Sequence, residues 1–478
     1  MKGTTIPLLA ALIAAFLLGP RAAAEDDLAP KLRGALLRVH STSQGWQIAS
    51  PWNKSNPGSG AQRGVMVRPG LVLTPVGSLA NCIMVEVSEA NSARRYPASL
   101  VHVDYAANLA LVKVEDEALN ARLVPLPVGE PITIDDEFEI WQLGGAELLE
   151  RATGRVQAVH PSGPRLELTM KTTLGDNGDG QVALKDGKVV GLVTRTNPGR
   201  QEGTLLALET IRHYLDDYDS KDYRGFGSGG LHTHDLLRDD LKAWYRVPEG
   251  RHGVGVSRVL PGRTGDGAVK ERDVILTLSG YALDDEGMFV HEKHGRLHFS
   301  YLLYGTTHPG DLIPATILRD GAEVEVKLPV KGWPYEEQQI PMDVMDRRPP
   351  FLVVGGLVLL ELSRRSPAGG STLRQYQARA MWDPPDDRLR IVYASRVLSD
   401  LSNKGLDELG NLAILTVNGE RIRQLSDVVE ALKKPMDGFH VFTFEDLAPP
   451  FVIKAAELEA IDKRIAERYR IPELFFLE

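Results

Sequence analysis

Peptide hydrolysis at a serine needs three groups within hydrogen-bond reach: a base, a carboxylate that orients it, and an activated hydroxyl. Histidine supply limits this chain. No histidine lies between His40 and His102. His102 and Asp104 stand two apart on a predicted strand and read as loop-edge residues. His160 falls just after a predicted strand and reads as solvent-facing. Cys82 is the only cysteine. Its apolar surroundings, Leu79 to Val87, make it a small buried residue rather than a reactive thiol, and an exported chain with one cysteine has no internal disulfide.

Metal and phosphate chemistry find no support. His232-Thr233-His234 lacks further ligands nearby in sequence. His291, His294 and His298 fall in a charged segment that reads as solvated. Asp176-Asn177-Gly178-Asp179-Gly180 has the look of a calcium loop, but glycines take the alternate positions and Gly187 the twelfth, so a turn is expected. The glycine-rich stretch 225–230 lacks the Lys-Ser/Thr of a phosphate loop. We therefore expect no metal and no other cofactor.

The elements that position these residues are mainly strands. From about 28 to 215, short β-branched runs such as Gly70 to Leu73, Ala110 to Val114 and Lys188 to Val193 alternate with Gly, Pro, Asn and Asp. That pattern points to barrels or sandwiches. Thr210 to Tyr218 reads as a short helix capped by Thr210. Residues 219–230 read as a linker. A helical stretch, Asp235 to Tyr245, follows, with Leu236, Leu237, Leu241 and Trp244 on one side. Strands come next, two of them joined by an Asp320-Gly321 hairpin. A Pro-rich, charged segment, 331–350, precedes a third unit that repeats the second in outline. The best sign of the repeat is Asp273 to Gly280 against Leu412 to Gly419. A helix is expected from Leu425 to Leu432, and Ala455 to Tyr469 reads as an amphipathic C-terminal helix.

The chain has 478 residues, too many for one core. A net charge of -9 argues against nucleic acid as a main partner. Lys2, the apolar stretch Ile6 to Leu18 and Ala22-Ala23-Ala24 read as an export signal, 1–24, cleaved before Glu25. No later run is long enough to span a bilayer; Phe351 to Leu362 has the length of a core strand.

In order along residues 30 to 470, the chain resembles the HtrA/Deg serine proteases, and within them the plant Deg branch. Val72 to Ala80 stands where that family reads ILTNAHVVA. Asp104 to Val112 stands for DxxxDLALL, and Gly175 to Asp179 for GNSGG. Ser50-Pro51-Trp52-Asn53-Lys54 resembles an insertion ahead of the GSGFVI strand. His298 to Leu303 resembles the branch's F-x-Y-L-I segment, and Val397-Leu398 with Val417-Asn418-Gly419 its second PDZ domain. The resemblance implies a mainly β fold: a chymotrypsin-like double β-barrel followed by two PDZ (α+β) domains. Its domains would be a trypsin-like domain at 28–218, a first PDZ domain at 222–335, a second PDZ-like domain at 345–455 and a C-terminal helix at 456–478.

In register with the family, the histidine is replaced by Gly77, the aspartate by Asn108 and the serine by Asn177. Gly77 cannot accept a proton, Asn108 cannot stabilise an imidazolium, and the Asn177 amide is a poor nucleophile. Asp179 adds negative charge where an oxyanion would form. The expectation is an exported pseudoprotease, periplasmic or extracellular. It would bind unfolded or C-terminal peptide segments and assemble, as the family does, into trimers or larger homo-oligomers. PDZ domains capture a peptide terminus with backbone N–H groups of a glycine-rich turn while the peptide adds to a strand edge. Gly229, Gly230, Leu231 and Thr233 are the candidates in the first, and Gly355-Gly356-Leu357-Val358 the equivalent in the second. The alternatives are an active endopeptidase with an unusual catalytic constellation, marked by a base beside an exposed Ser or Thr, and a purely structural envelope protein.

Overall fold

A computed structural model describes residues 28–144, 148–175, 179–334, 337–342, 345–367, 371–379, 387–445 and 449–477. The export signal read at 1–24 lies outside the described residues. So does Asn177, with its neighbours Asp176 and Gly178.

The first strands are β1 (Leu36–Ser43), β2 (Trp46–Gln47), β3 (Ser50–Lys54), β4 (Gly58–Arg68), β5 (Leu71–Pro75), β6 (Cys82–Glu89), β7 (Tyr96–Asp104) and β8 (Leu109–Val114). Six of them close a barrel in the order β1-β4-β5-β8-β7-β6. A second barrel follows from β9 (Glu137–Leu143), β10 (Leu149–Ser162), β11 (Arg165–Thr172), β12 (Val182–Lys185), β13 (Lys188–Asn197) and β14 (Glu202–Ala207), in the order β10-β11-β14-β13-β12-β9. Closure removes the exposed edges that short strands would otherwise present. Leu73, Leu109 and Leu111 of one barrel and Leu143, Val182 and Leu192 of the other share one buried cluster with the helix Leu208–Asp219.

Packing divides the chain into two compact units. The first runs through the described residues to Thr42, then Ser59–Leu79 and Ile83–Gly332; the second is Ser43–Gly58, Ala80–Cys82 and Trp333–Glu478. The first unit holds both barrels and an α+β module. That module's sheet runs Leu231–His234, Val254–Val259, Val274–Leu278, Leu312–Arg319, Ala322–Pro329. Its core is continuous with that of the second barrel: Val256, Ile275 and Phe289 join one apolar cluster with Phe138, Leu168 and Val193.

The second unit's sheet runs Phe451–Lys454, Phe439–Phe444, Leu412–Val417, Val392–Val397, Leu357–Glu361, Phe351–Val354, Phe475–Phe476. The β2–β3 hairpin belongs to this unit. Trp52 packs 6.0 Å from Phe351 between ring centroids, and the Arg348 guanidinium lies 4.9 Å from the Trp46 ring and 4.7 Å from Phe476. The internal repeat is visible in register. Thr277 hydrogen-bonds Thr316 across the first sheet at 2.9 Å, and Thr416 meets Thr443 across the second at 2.7 Å. Each strand then ends in a left-handed pair, Ser279-Gly280 and Asn418-Gly419.

Several local expectations change. The Leu208–Asp219 helix begins two residues before Thr210, whose hydroxyl instead accepts the Leu166 N–H at 2.9 Å. The helix read over Asp235 to Tyr245 shortens to Asp239–Trp244; Leu236 is buried, while Leu237 and Trp244 are exposed. Cys82 is half-buried, beside the exposed Ile83 and Met84. His160 lies within β10, and His102 and Asp104 within β7. Phe351 to Leu362 is a hairpin with a Gly355-Gly356 turn at φ of 58° and 94°, not one strand.

Candidate functional site

Gly77 follows β5 and opens a short 3-10 turn, Gly77–Leu79. Its φ is 35°, in the left-handed region that disfavours side chains. A Cβ there would sit 2.2 Å from Gln62 Oε1 and 3.1 Å from Asp179 Oδ2. Gln62 thus fills the space into which a side chain at 77 would project. It is fully buried and held from several sides. Its Nε2 donates to Thr74 Oγ1 at 2.9 Å and to the Pro75 carbonyl. Its Oε1 accepts the Ser78 N–H at 2.8 Å and the Ser78 hydroxyl at 3.2 Å. Ser41 extends the network, donating to the Ser78 carbonyl and hydroxyl oxygens at 2.9 Å.

Asn108 precedes β8 with a φ of 58°, and its carbonyl accepts the Val76 N–H at 3.3 Å. The backbones at 77 and 108 therefore adjoin. Asp179 reaches the same place from the second barrel: its carbonyl accepts the Arg63 N–H at 3.1 Å. Burial raises the Asp179 carboxyl above its usual range, with the Arg63 guanidinium opposing that rise. Gly77, Asn108 and Asp179 thus come together. No imidazole stands among the groups named here: the atoms around Gly77 belong to an amide, hydroxyls and a carboxylate.

Among the described residues, two serine–histidine pairs stand elsewhere. His40 Nε2 lies 2.9 Å from Ser88 Oγ, but Ser88 is 1% exposed and out of a substrate's reach. His298 Nδ1 lies 2.9 Å from Ser300 Oγ and also accepts the Ser300 N–H, a local turn at the start of the helix Ser300–Tyr304. Among the described residues neither ring is hydrogen-bonded to a carboxylate. His102 sits among Tyr214, Tyr218 and Tyr223, and Asp104 accepts the Tyr223 hydroxyl at 2.5 Å. Both hold the 219–230 segment in place, and so does Asp217, which accepts the Arg224 and Gly225 N–H groups at 3.0 and 2.7 Å.

The glycine-rich segment leads into the strand Leu231–His234, which contains Leu231 and Thr233 and forms an edge of its sheet. Among the described residues, only its Val254–Val259 side is paired. A Cβ on Gly230 would meet the Thr264 carbonyl at 2.3 Å, and one on Gly229 the Tyr304 hydroxyl at 2.7 Å, so glycine is required for this close passage. Among the described residues, the N–H groups of Gly229 and Gly230 make no hydrogen bond. An unpaired edge beside free N–H groups can accept an added strand and a carboxylate.

The second unit differs. Leu357–Glu361 is paired on both sides, by Val392–Val397 and by Phe351–Val354, and the latter is itself covered by Phe475–Phe476. Gly355-Gly356 is the turn of that hairpin, and its Gly355 N–H already donates to Asp462 Oδ1 at 2.6 Å. The chain's own backbone takes the place of an added peptide there. Sequence reasoning missed Gln62 and this hairpin; the two consecutive glycines between β-branched runs were the available signal for the latter.

A family model described as a PDZ domain matches residues 340–474. Protease Do-like 2 of Arabidopsis thaliana, a chloroplastic protein, is 24% identical over 428 residues, spanning 86% of this chain and 70% of that one. Mouse (Mus musculus) serine protease HTRA4 is 25% identical over 248 residues, 48% of this chain and 50% of that one. A variant of the HtrA-type protease AlgW, solved with a decapeptide, superposes with a TM-score of 0.50 at 16% identity, covering 65% of this chain and 96% of that one. The double barrel, the PDZ match and the similarity along most of the length agree: the homologues of this chain are Deg/HtrA-like proteases.

Proposed function

We propose that this chain is an exported, periplasmic or extracellular pseudoprotease that binds polypeptide segments without cleaving them. The carrying observation is the closed space at Gly77. Among the described residues no imidazole projects there, and the buried Gln62 amide fills the volume one would need. Asn108 and Asn177 at the other two family positions, and the Asp179 carboxylate, support the same reading. Loss of base and nucleophile together costs on the order of a millionfold in turnover. The binding function rests on the first PDZ domain, 222–335. Its open edge at Leu231–His234 and the free N–H groups of Gly229 and Gly230 suit an unfolded or C-terminal peptide. Homo-oligomers, trimers or larger, would multiply such sites and raise avidity.

Incubation of the purified 25–478 chain with unfolded casein, beside its Asn177→Ala variant, tests the central claim. Intact casein in both is expected. Cleavage by the parent that disappears in the variant would place Asn177 in a working catalytic site and end this reading. Peptide capture is tested on a peptide library. Gly229→Ala crowds the Tyr304 hydroxyl and should weaken the bound peptides at least about tenfold by constricting the loop.

A further inference from the structure

A cleft in the second unit plays no part in the reading above. The helix Ala455–Tyr469 buries Ile461 and Ile465 in that unit's core. It ends at Arg470, whose left-handed φ of 54° lets the chain turn back. The Ile471 N–H donates to the Ala466 carbonyl at 2.9 Å, and the Leu474 carbonyl accepts the Val353 N–H at 2.6 Å. The returning segment is thereby pinned to the Phe351–Val354 strand. Between it and the helix lies a cavity of about 650 Å³. Leu458, Ala466, Ile471 and Leu474 supply apolar wall, and Asp462 lies among them.

Asp462 is the unbalanced charge of this cleft. It is half-buried, and its Oδ1 accepts the Gly355 N–H at 2.6 Å. Among the described residues its other oxygen accepts no hydrogen bond, and no cation pairs with it. A carboxylate drawn out of water is ordinarily paired or surrounded by donors. The other charges of the lining are committed or offset. Glu473 is paired with Arg348. Glu459 and Lys463, both exposed, stand one turn apart on the helix, where opposite charges compensate. Lys463 directly follows Asp462, and adjacent residues on a helix do not face each other.

The chemistry of a matching group follows from these constraints. A guanidinium fork is best held by both oxygens of a carboxylate, and Oδ1 is engaged. A calcium or magnesium ion takes several oxygen ligands, and the walls are aliphatic. A primary ammonium is a compact charge that one oxygen can hold, carried on methylenes that apolar walls can cover. We propose that this cleft docks the lysine side chain of a partner polypeptide, with its ammonium on the free oxygen of Asp462. The site shares no residue with the Gly77 cluster or with the Gly229–Thr233 edge, so it stands or falls apart from both.

The test is a titration of the full chain at pH 7 and fixed ionic strength with Nα-acetyl-lysine amide, followed through the Gly355 amide NMR signal. That N–H is bonded to Asp462 and reports its charge. A saturable shift is expected, and the uncharged Nα-acetyl-norleucine amide should give none. Burial lifts the Asp462 carboxyl to about 6. With the lysine probe at about ten times its dissociation constant, the pH midpoint of the Gly355 signal should fall to about 5, because the probe binds only the ionised form. Asp462→Asn, which keeps an oxygen for the Gly355 N–H, should abolish the response. Lys463→Gln, at an exposed position, should tighten binding at least about twofold by removing a like charge. Absence of a saturable shift, an equal response to the norleucine probe, an unchanged response in Asp462→Asn, or weaker binding in Lys463→Gln overturns the proposal.

Discussion

At the scale of single residues, what matters at Gly77 is a space already taken. A glycine where a histidine is expected is legible in the sequence as a missing base. What fills the gap is not, because Gln62 lies fifteen positions away, on β4, and it is the pairing of β4 with β5 that brings its amide to Gly77. This changes what reconstruction requires. Gly77→His, Asn108→Asp and Asn177→Ser together should remain inert, because the new Cβ would meet Gln62 Oε1 at 2.2 Å and the backbone there has a positive φ. Strain of that kind costs about 1–3 kcal/mol. Removing Gln62 in the same background, with Gln62→Ala, is the change that makes room for an imidazole. Labelling by a fluorophosphonate probe reads the result. Labelling of the triple variant with Gln62 intact would show that the amide is no obstacle.

At the scale of elements, strands such as β5, β8 and β13 were readable because their apolar, β-branched runs sit between turn residues, and the Asp320-Gly321 hairpin and the Leu425–Leu432 helix form where their patterns put them. Side chains whose partners lie far along the chain were not. Thr210 looked like a helix cap and instead serves Leu166 on a neighbouring strand. His294 looked solvated, yet its side chain is fully buried, with Nε2 at 2.6 Å from Glu209 Oε1. That contact joins the Met288–His291/Gly295–His298 hairpin to the first turn of the Leu208–Asp219 helix, alongside Thr133 Oγ1, which donates to the Lys293 carbonyl at 2.9 Å. Glu209→Ala should leave the buried imidazole without its acceptor and cost about 1–3 kcal/mol of local stability. Glu209→Gln, which keeps an acceptor, should cost less. Hydrogen exchange across 288–298 checks this: faster exchange in the alanine variant is expected, and equal protection in all three proteins would deny the contact any holding role.

At the scale of the whole molecule, the chain has at least two cores that need not melt together. One apolar cluster joins the second barrel to the first α+β module, and a separate one, built on Phe351, Tyr393, Phe442 and Ile465, fills the second unit. Chains organised in this way depart from all-or-none unfolding, so calorimetry should resolve two transitions. Asp462 marks which belongs to the second unit. Burial lifts its carboxyl from the ordinary value of 3.8 to about 6, and the Gly355 N–H only partly offsets that. A carboxyl raised on folding favours the native state while protonated. Its contribution is complete below the unfolded value and is lost as pH rises through about 6. Asp400 acts in the opposite sense but elsewhere on the scale. Burial would raise it, yet the Arg464 and Ser402 hydrogen bonds outweigh burial and hold it at about 2, so its contribution disappears only as pH falls below 4. Between pH 4 and 7, of these two groups only Asp462 changes charge. Asp462→Asn keeps an oxygen for the Gly355 N–H and removes the buried charge. It should therefore stabilise the second unit by about 1–2 kcal/mol at pH 7.5, less than the full shift implies because the side chain keeps some solvent. The gain should vanish by about pH 4, where the parent carboxyl is itself protonated. Only one of the two transitions should move. A variant that shifts both, or that gains equally at both pH values, would mean that Asp462 acts through something other than its buried charge.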